Sequence, residues 1–163
     1  MAVMRILPHP WNFTPILGGA LYLGATLTTR QSLLAATFSM VLSDAVLGFH
    51  SGMWFVYGAV GLVTLLGSYL RRPSMLKLGF GSLLGSVIFF VITNFAVWAT
   101  GQMYTKDLNG LLLCYSLAIP FFHHTLVSTL LYGSVFFGLH YCLFALSKLP
   151  VRSMIVLQRV KYF

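Results

Sequence analysis

The sequence predicts an all-α fold, a polytopic membrane bundle of six hydrophobic helices, and three observations predict it. Apolar residues fill 58% of the 163 positions, against roughly 45–50% in an ordinary soluble domain. Charged residues make up only 7%, against about 25%. So few charges cannot form a water-facing shell around a core, whereas in lipid the outward surface must itself be apolar. The charges that remain stand in short clusters between apolar runs and at the C-terminus, the pattern of juxtamembrane anchors. The net charge of +8 therefore points to membrane lipid as the partner and not to nucleic acid.

The elements follow from the lengths of the apolar runs. The opening MAVMRILPHPWNFTP holds one Arg and three prolines and lacks a small-residue cleavage pattern, so it reads as retained rather than as a removable signal. A first helix spans about Phe13 to Thr28 and a second about Ser32 to Phe49, joined through Thr29, Arg30 and Gln31 as a tight hairpin. The third runs from about Met53 to Leu70 and ends at RRPSMLK, where Arg71 and Arg72 mark the interface and Pro73 blocks continuation. The fourth runs from about Leu78 to Thr100, followed by the polar link GQMYTKDLNG. The last apolar block, residues 110 to 146, is interrupted at Pro120 and at His123 and His124. At about 20 residues per upright span it is slightly short for two. Either the fifth helix, about Leu108 to Phe121, crosses thin bilayer, or it dips in and returns. The sixth then spans about Thr125 to Leu146. Residues 1–149 form one transmembrane domain, and residues 150–163 form a basic interfacial tail.

Charge distribution bears on the number of crossings. With six crossings and the N-terminus inside, Arg5, Lys106, Lys148, Arg152, Arg159 and Lys161 lie inside and Arg30, Arg71, Arg72 and Lys77 outside, which decides little. With five crossings and the N-terminus outside, only Arg5 and Lys106 lie outside, and the excess of inside cations favours the odd count.

Small residues mark where helices meet in lipid. Ala20 and Gly24 stand at small-xxx-small spacing in the first helix, and Gly81 and Gly85 form a GxxxG in the fourth. Packing within the chain is the default reading, and docking of a partner subunit is the alternative. Cys114 and Cys142 sit inside apolar runs without metal-site spacing and read as small apolar residues. Adjacent histidines on a helix point about 100° apart and seldom share one ion, so His123 and His124 read as turn residues.

The polar residues collect at one end. The start of the first helix, the end of the second and the end of the fourth share a side, which gathers Asn12, Asp44, His50, Asn94, Trp98, Lys106 and Asp107. Asp44, one of only two acidic residues, lies roughly 7–8 Å below its helix end at 1.5 Å per residue. A carboxylate at that depth faces a partner or a wet cavity, which makes it a candidate contact for a small solute. The structural alternative is an acceptor for the N-terminal segment. Asn12, Asp44, His50, Asn94 and Trp98 are the candidate solute contacts. No Ser-His-Asp order, HExxH, P-loop or carboxylate pair occurs, so no cofactor, metal site or catalytic residue is expected. An enzyme using Asp44 and His50 as acid and base would need them within hydrogen-bond reach.

The segments LPHPWNFTP, SDAVLGFH, TNFAVW and CYSLAIPFFHHTL, in this order, resemble a family of small bacterial integral membrane proteins of unknown function, over residues 5 to about 140. The family pattern has Asn where this chain has His124. Members of that family look like the substrate-binding S components of energy-coupling-factor (ECF) transporters, an analogy of size and helix count. The resemblance implies a multi-pass protein of the bacterial cytoplasmic membrane that binds a small solute such as a vitamin or metal for uptake. It also implies partners: a transmembrane coupling subunit, docked on small residues such as Ala20 and Gly24, and cytoplasmic ATPases. Six crossings would place the Asp44 end in the cytoplasm, the wrong side for capture. The other expectation is a non-catalytic membrane scaffold whose polar end is a structural plug.

Overall fold

The computed structural model describes residues 2–6, 12–49, 51–71 and 73–147, so the expected interfacial tail, Trp11, His50 and Arg72 lie outside the described residues. All regular structure among the described residues is helical: α1 (Ala2–Ile6), α2 (Ile16–Thr26), α3 (Thr29–Leu47), α4 (Met53–Gly67) extended by a 3-10 turn (Ser68–Leu70), α5 (Met75–Thr100) and α6 (Leu108–Ser147). Among the described residues, three stretches are long and apolar enough to cross a membrane: Met53–Leu70, Met75–Thr100 and Leu108–Ser147.

Helix ends follow local chemistry. The side chain of Thr28 accepts from the backbone N–H of Gln31, whose own side chain reaches back to the backbone N–H of Thr28, a capping box that starts α3. Gly48, at φ 94°, ends α3 by donating its N–H to the Asp44 carbonyl at 2.8 Å, a conformation glycine adopts without a Cβ penalty. Ser74 caps α5 through the Lys77 N–H.

The expected fifth and sixth helices are one helix. α6 runs 40 residues without a break, with Pro120 and both histidines inside it, so neither a short crossing nor a re-entrant loop is present. Pro120 removes one backbone bond, but a helix packed against neighbours in an apolar setting tolerates that loss. α5 lines the N-terminal two thirds of α6 in antiparallel register: the Tyr115 hydroxyl donates to the Val91 carbonyl at 2.7 Å, and Ser86 Oγ to Thr129 Oγ1 at 3.3 Å.

α2 sits inside an arc formed by α3, α4, α5 and α6 and touches all four. Its first residues, ILGGAL, are apolar or small all round, as befits a stretch buried on every side, while its last turn, from Tyr22, is partly open. The small residues expected to dock a partner are used here, within the chain. Ala20 is fully buried, and a Cβ on Gly24 would stand 1.9 Å from the Thr64 carbonyl oxygen. Gly81 packs on Leu70 and Gly85 on Val63. These four positions close the bundle on itself instead of presenting a stripe to another subunit, because helices in an apolar medium gain most where backbones touch. The outward faces of α5 and α6 carry exposed Leu76, Phe80, Leu113 and Leu131, as a lipid-facing surface does.

Candidate functional site

Asp44 projects from the last turns of α3 and is 1% exposed. One carboxylate oxygen pairs with Arg5 Nη1, and the other accepts from the Tyr57 hydroxyl at 2.7 Å. Arg5, on α1, also donates from Nη1 to Ser43 Oγ at 2.8 Å. Asp44 is therefore a neutralised counter-ion that holds the short α1 against α3, with α4 contributing the tyrosine. This is the structural alternative in outline, with the Arg5 guanidinium in place of backbone N–H groups. A charge at this depth persists only when paired and hydrogen-bonded in this way.

Beside the pair lies a cavity of about 650 Å³, within the roughly 300–1,000 Å³ range of small-molecule sites. The N-terminal segment contributes Arg5, Asn12 and Thr14, α5 contributes Thr93 and Asn94, and α6 contributes Thr125 and Ser128. The remaining wall is apolar, including Leu17, Met40, Val56 and Phe89. Along α5 the cavity reaches from Phe89 to Val97, about 12 Å at 1.5 Å per residue.

Each wall element is fixed by its own bonding. Asn12 sits at φ 59°, a left-handed turn that asparagine tolerates, and its carbonyl accepts from Ser128 Oγ at 3.4 Å. The Asn94 amide donates to the Phe90 carbonyl at 2.8 Å, which leaves its oxygen as an acceptor for a guest. Thr93 Oγ1 back-bonds to the Phe89 carbonyl and Ser128 Oγ to the Thr125 carbonyl, a pattern that satisfies a hydroxyl within its own helix. The site thus offers one guanidinium, held neutral overall by Asp44, two amides and a few hydroxyls in an otherwise apolar chamber.

Of the expected contacts, Asn12 and Asn94 line the cavity and Asp44 stands behind Arg5 in its wall, while His50 lies outside the described residues. Trp98 is elsewhere. Its Nε1–H donates to the Thr105 carbonyl at 2.9 Å, and Lys106 lies over its ring, 5.7 Å from the centroid. Lys106 also donates to the Trp98 and Gly101 carbonyls at the end of α5. Trp98 therefore fastens the α5–α6 link rather than covering a guest. The link ends at Asp107, which accepts from the Gly110 N–H and the Thr105 hydroxyl, both at 2.7 Å, and so caps α6. Those two donors hold its carboxyl below the ordinary value, the Gly110 N–H contributing most.

Sequence reasoning missed Arg5, Tyr57, Thr93, Thr125 and Ser128. The spacing of Thr125, Ser128 and Thr129 places them on one face of α6, a signal already present at the start of the expected sixth helix but not read as a polar face. Nothing in the sequence marks Tyr57. His123 and His124 are helical, not turn residues, with ring centroids 4.0 Å apart. Among the described residues no group of three or more His, Cys, Asp or Glu stands close enough to hold a metal ion.

No curated protein and no solved structure matches this chain. The chain belongs to a family of unknown function, DUF6580, whose profile matches residues 1–152.

Proposed function

We propose that this protein spans the bacterial cytoplasmic membrane and captures a small solute in the cavity at its Asp44 end, as the binding member of an uptake system. The observation that carries the reading is the cavity itself, an apolar chamber with Arg5, Asn12 and Asn94 converging on it. Its chemistry favours a small amphipathic molecule whose acceptor group meets the Arg5 guanidinium and whose body lies along Leu17, Met40 and Phe89. Charge asymmetry supports the direction. With α2 to α6 each crossing once, the end carrying Arg30, Arg71 and Lys77 faces the cytoplasm, and the Asp44 end faces outward, where a solute is first met. That arrangement removes the conflict that six crossings create. Movement of the solute inward is then the work of partner subunits of the kind the S-component resemblance implies, a transmembrane coupling subunit and cytoplasmic ATPases, docked on a surface other than Ala20 and Gly24.

The test uses the full chain purified in mild detergent, with native mass spectrometry for co-purifying solutes and thermal shifts against a panel of small amphipathic acids and amides. Asn94→Leu removes an amide whose stabilising bond is to its own helix, so the fold should survive. The expected loss is about tenfold in affinity, the worth of one well-placed hydrogen bond. A panel that never stabilises the parent, or one that binds Asn94→Leu equally well, removes the reading and leaves the scaffold, which the engagement of both Asp44 oxygens within the chain favours.

A further inference from the structure

We infer that the opposite end of the bundle carries a binding site for one anionic phospholipid, with its headgroup phosphate on Arg71 and His140 and an acyl chain along Tyr22, Phe136 and Leu139. The site arises from a mismatch of lengths. Gly133 of α6 packs beside Leu78, near the start of α5, so residues 138–147 continue past the beginning of α5. All ten are exposed, and they extend about 15 Å at 1.5 Å per residue. Between this overhang, the end of α2 and the α4–α5 link lies a groove of about 630 Å³, into which Thr26, Thr28, Arg71, His140 and Tyr141 bring polar groups. A second, largely apolar cleft of about 450 Å³ adjoins it, sharing His140 and lined by Tyr22, Phe136 and Leu139.

The two parts have the division of a phospholipid. Arg71 directly follows an apolar stretch long enough to cross a membrane, the level at which headgroup phosphates lie, and guanidinium pairs with phosphate through parallel N–H donors. His140 is positioned by the Tyr22 hydroxyl, 3.1 Å from its Nδ1, so its Nε2 is the nitrogen that meets a phosphate oxygen. The Tyr22 ring in turn packs edge-on against Phe137 and tilted against Phe136, at 5.4 and 5.8 Å between centroids, giving an acyl chain a firm aromatic wall. Charge selects the headgroup. Arg30 and Lys77 stand at this same end, and the chain's two acidic residues, Asp44 and Asp107, are both at the other. Among the described residues the groove therefore offers no carboxylate to a choline or ethanolamine ammonium, while basic pockets between membrane helices suit anionic headgroups. A free phosphate would fill only the polar part and leave the aromatic cleft uncovered.

The full chain in mild detergent, titrated with phosphatidylglycerol or phosphatidylcholine and read by native mass spectrometry, tests the site. Expected is a preference for phosphatidylglycerol of about fivefold, the worth of one basic side chain facing a net-anionic headgroup instead of one whose phosphate is already balanced by choline. The preference should fall to parity in Arg71→Gln and drop in His140→Leu, but hold in Lys77→Gln, whose side chain is outside the groove. Equal binding of the two lipids overturns the site, and so does a preference that millimolar inorganic phosphate abolishes, which would make it a free-phosphate site. In vesicles of phosphatidylcholine with a minority of phosphatidylglycerol, p-benzoylphenylalanine at position 139 should photo-crosslink phosphatidylglycerol. Crosslinks to residues 148–163 of the same chain, or to a second copy, would instead identify those as the occupant and overturn the lipid assignment.

Discussion

Asp44 shows what a single buried charge demands. Its two oxygens are taken by Arg5 and Tyr57, and at 1% exposure it has no water to fall back on. Removing one partner leaves the other charged and desolvated, which costs about 3–5 kcal/mol, whereas replacing both by apolar groups of similar size is often neutral or better. Arg5→Met and Asp44→Leu should therefore each lower the melting temperature in detergent sharply, and the double variant should recover most of the loss. Additive losses would mean that the two side chains act independently and that the pair does not hold α1 in place. Tyr57→Phe should cost less, about 1–3 kcal/mol, the penalty for one unsatisfied buried acceptor. The acidic residue was legible in the sequence as the odd one in its run. Its partner was not, because Arg5 lies 39 positions away and periodicity carries no information on pairing across helices.

At the scale of elements, glycines decide how closely helices approach, and they do so unequally. A Cβ on Gly24 would meet the Thr64 backbone oxygen at 1.9 Å, while one on Gly58 of α4 would meet nothing within 4 Å. Gly24→Ala forces α2 and α4 apart and should destabilise by about 3 kcal/mol, the upper part of the overpacking range. Gly58→Ala should be neutral or stabilise by up to about 1 kcal/mol through helix propensity. Thermal denaturation of the two variants side by side checks this, and equal effects would show that α2 does not sit where its neighbours place it. The start of α6 gives a pH-dependent case. Asp107 titrates below its usual 3.8 because Gly110 and Thr105 donate to its ionised form, so its cap is fully present above that value and is lost as pH falls through the lowered one. Amide exchange at Gly110 and Leu111, relative to intrinsic rates, should accelerate at that acid transition in the parent, and already be fast at neutral pH in Asp107→Ala. Starts of α3 and α4 were legible to within a few residues, since cap residues and run lengths are local. The continuity of α6 was not, because Pro120 reads as a breaker unless the helices packed around it are known.

The whole molecule turns on α6. Forty residues in one helix reach about 60 Å, twice the roughly 30 Å of a hydrocarbon core, so one crossing leaves ample length to spare and the last apolar block needs no second one. Counting residues against span length predicted a pair there because length alone cannot distinguish one long helix from two short ones. With a single final crossing the chain passes from one side to the other an odd number of times when α2 to α6 each cross once, and among the described residues Arg30, Arg71 and Lys77 stand at one end, against Arg5 and Lys106 at the other. In the uptake reading proposed above, the Arg71 end is the cytoplasmic one, the side that the positive-inside rule favours for the larger group of cations. In a background with Cys114 and Cys142 replaced, an impermeant thiol reagent applied to intact cells should label Ser51→Cys and spare Met75→Cys until the membrane is permeabilised. Met75 is the better inner probe than Ser74, whose side chain caps α5, and at 85% exposure it is open to reagent. Labelling of Met75→Cys alone would place the cavity mouth in the cytoplasm. Capture for uptake would then be untenable, and the Arg5–Asp44 cluster would stand as a structural plug at the inner end of a scaffold. Labelling of both probes in intact cells would mean that Ser51 and Met75 face the same side, that α4 does not cross, and that the odd count of crossings fails with it.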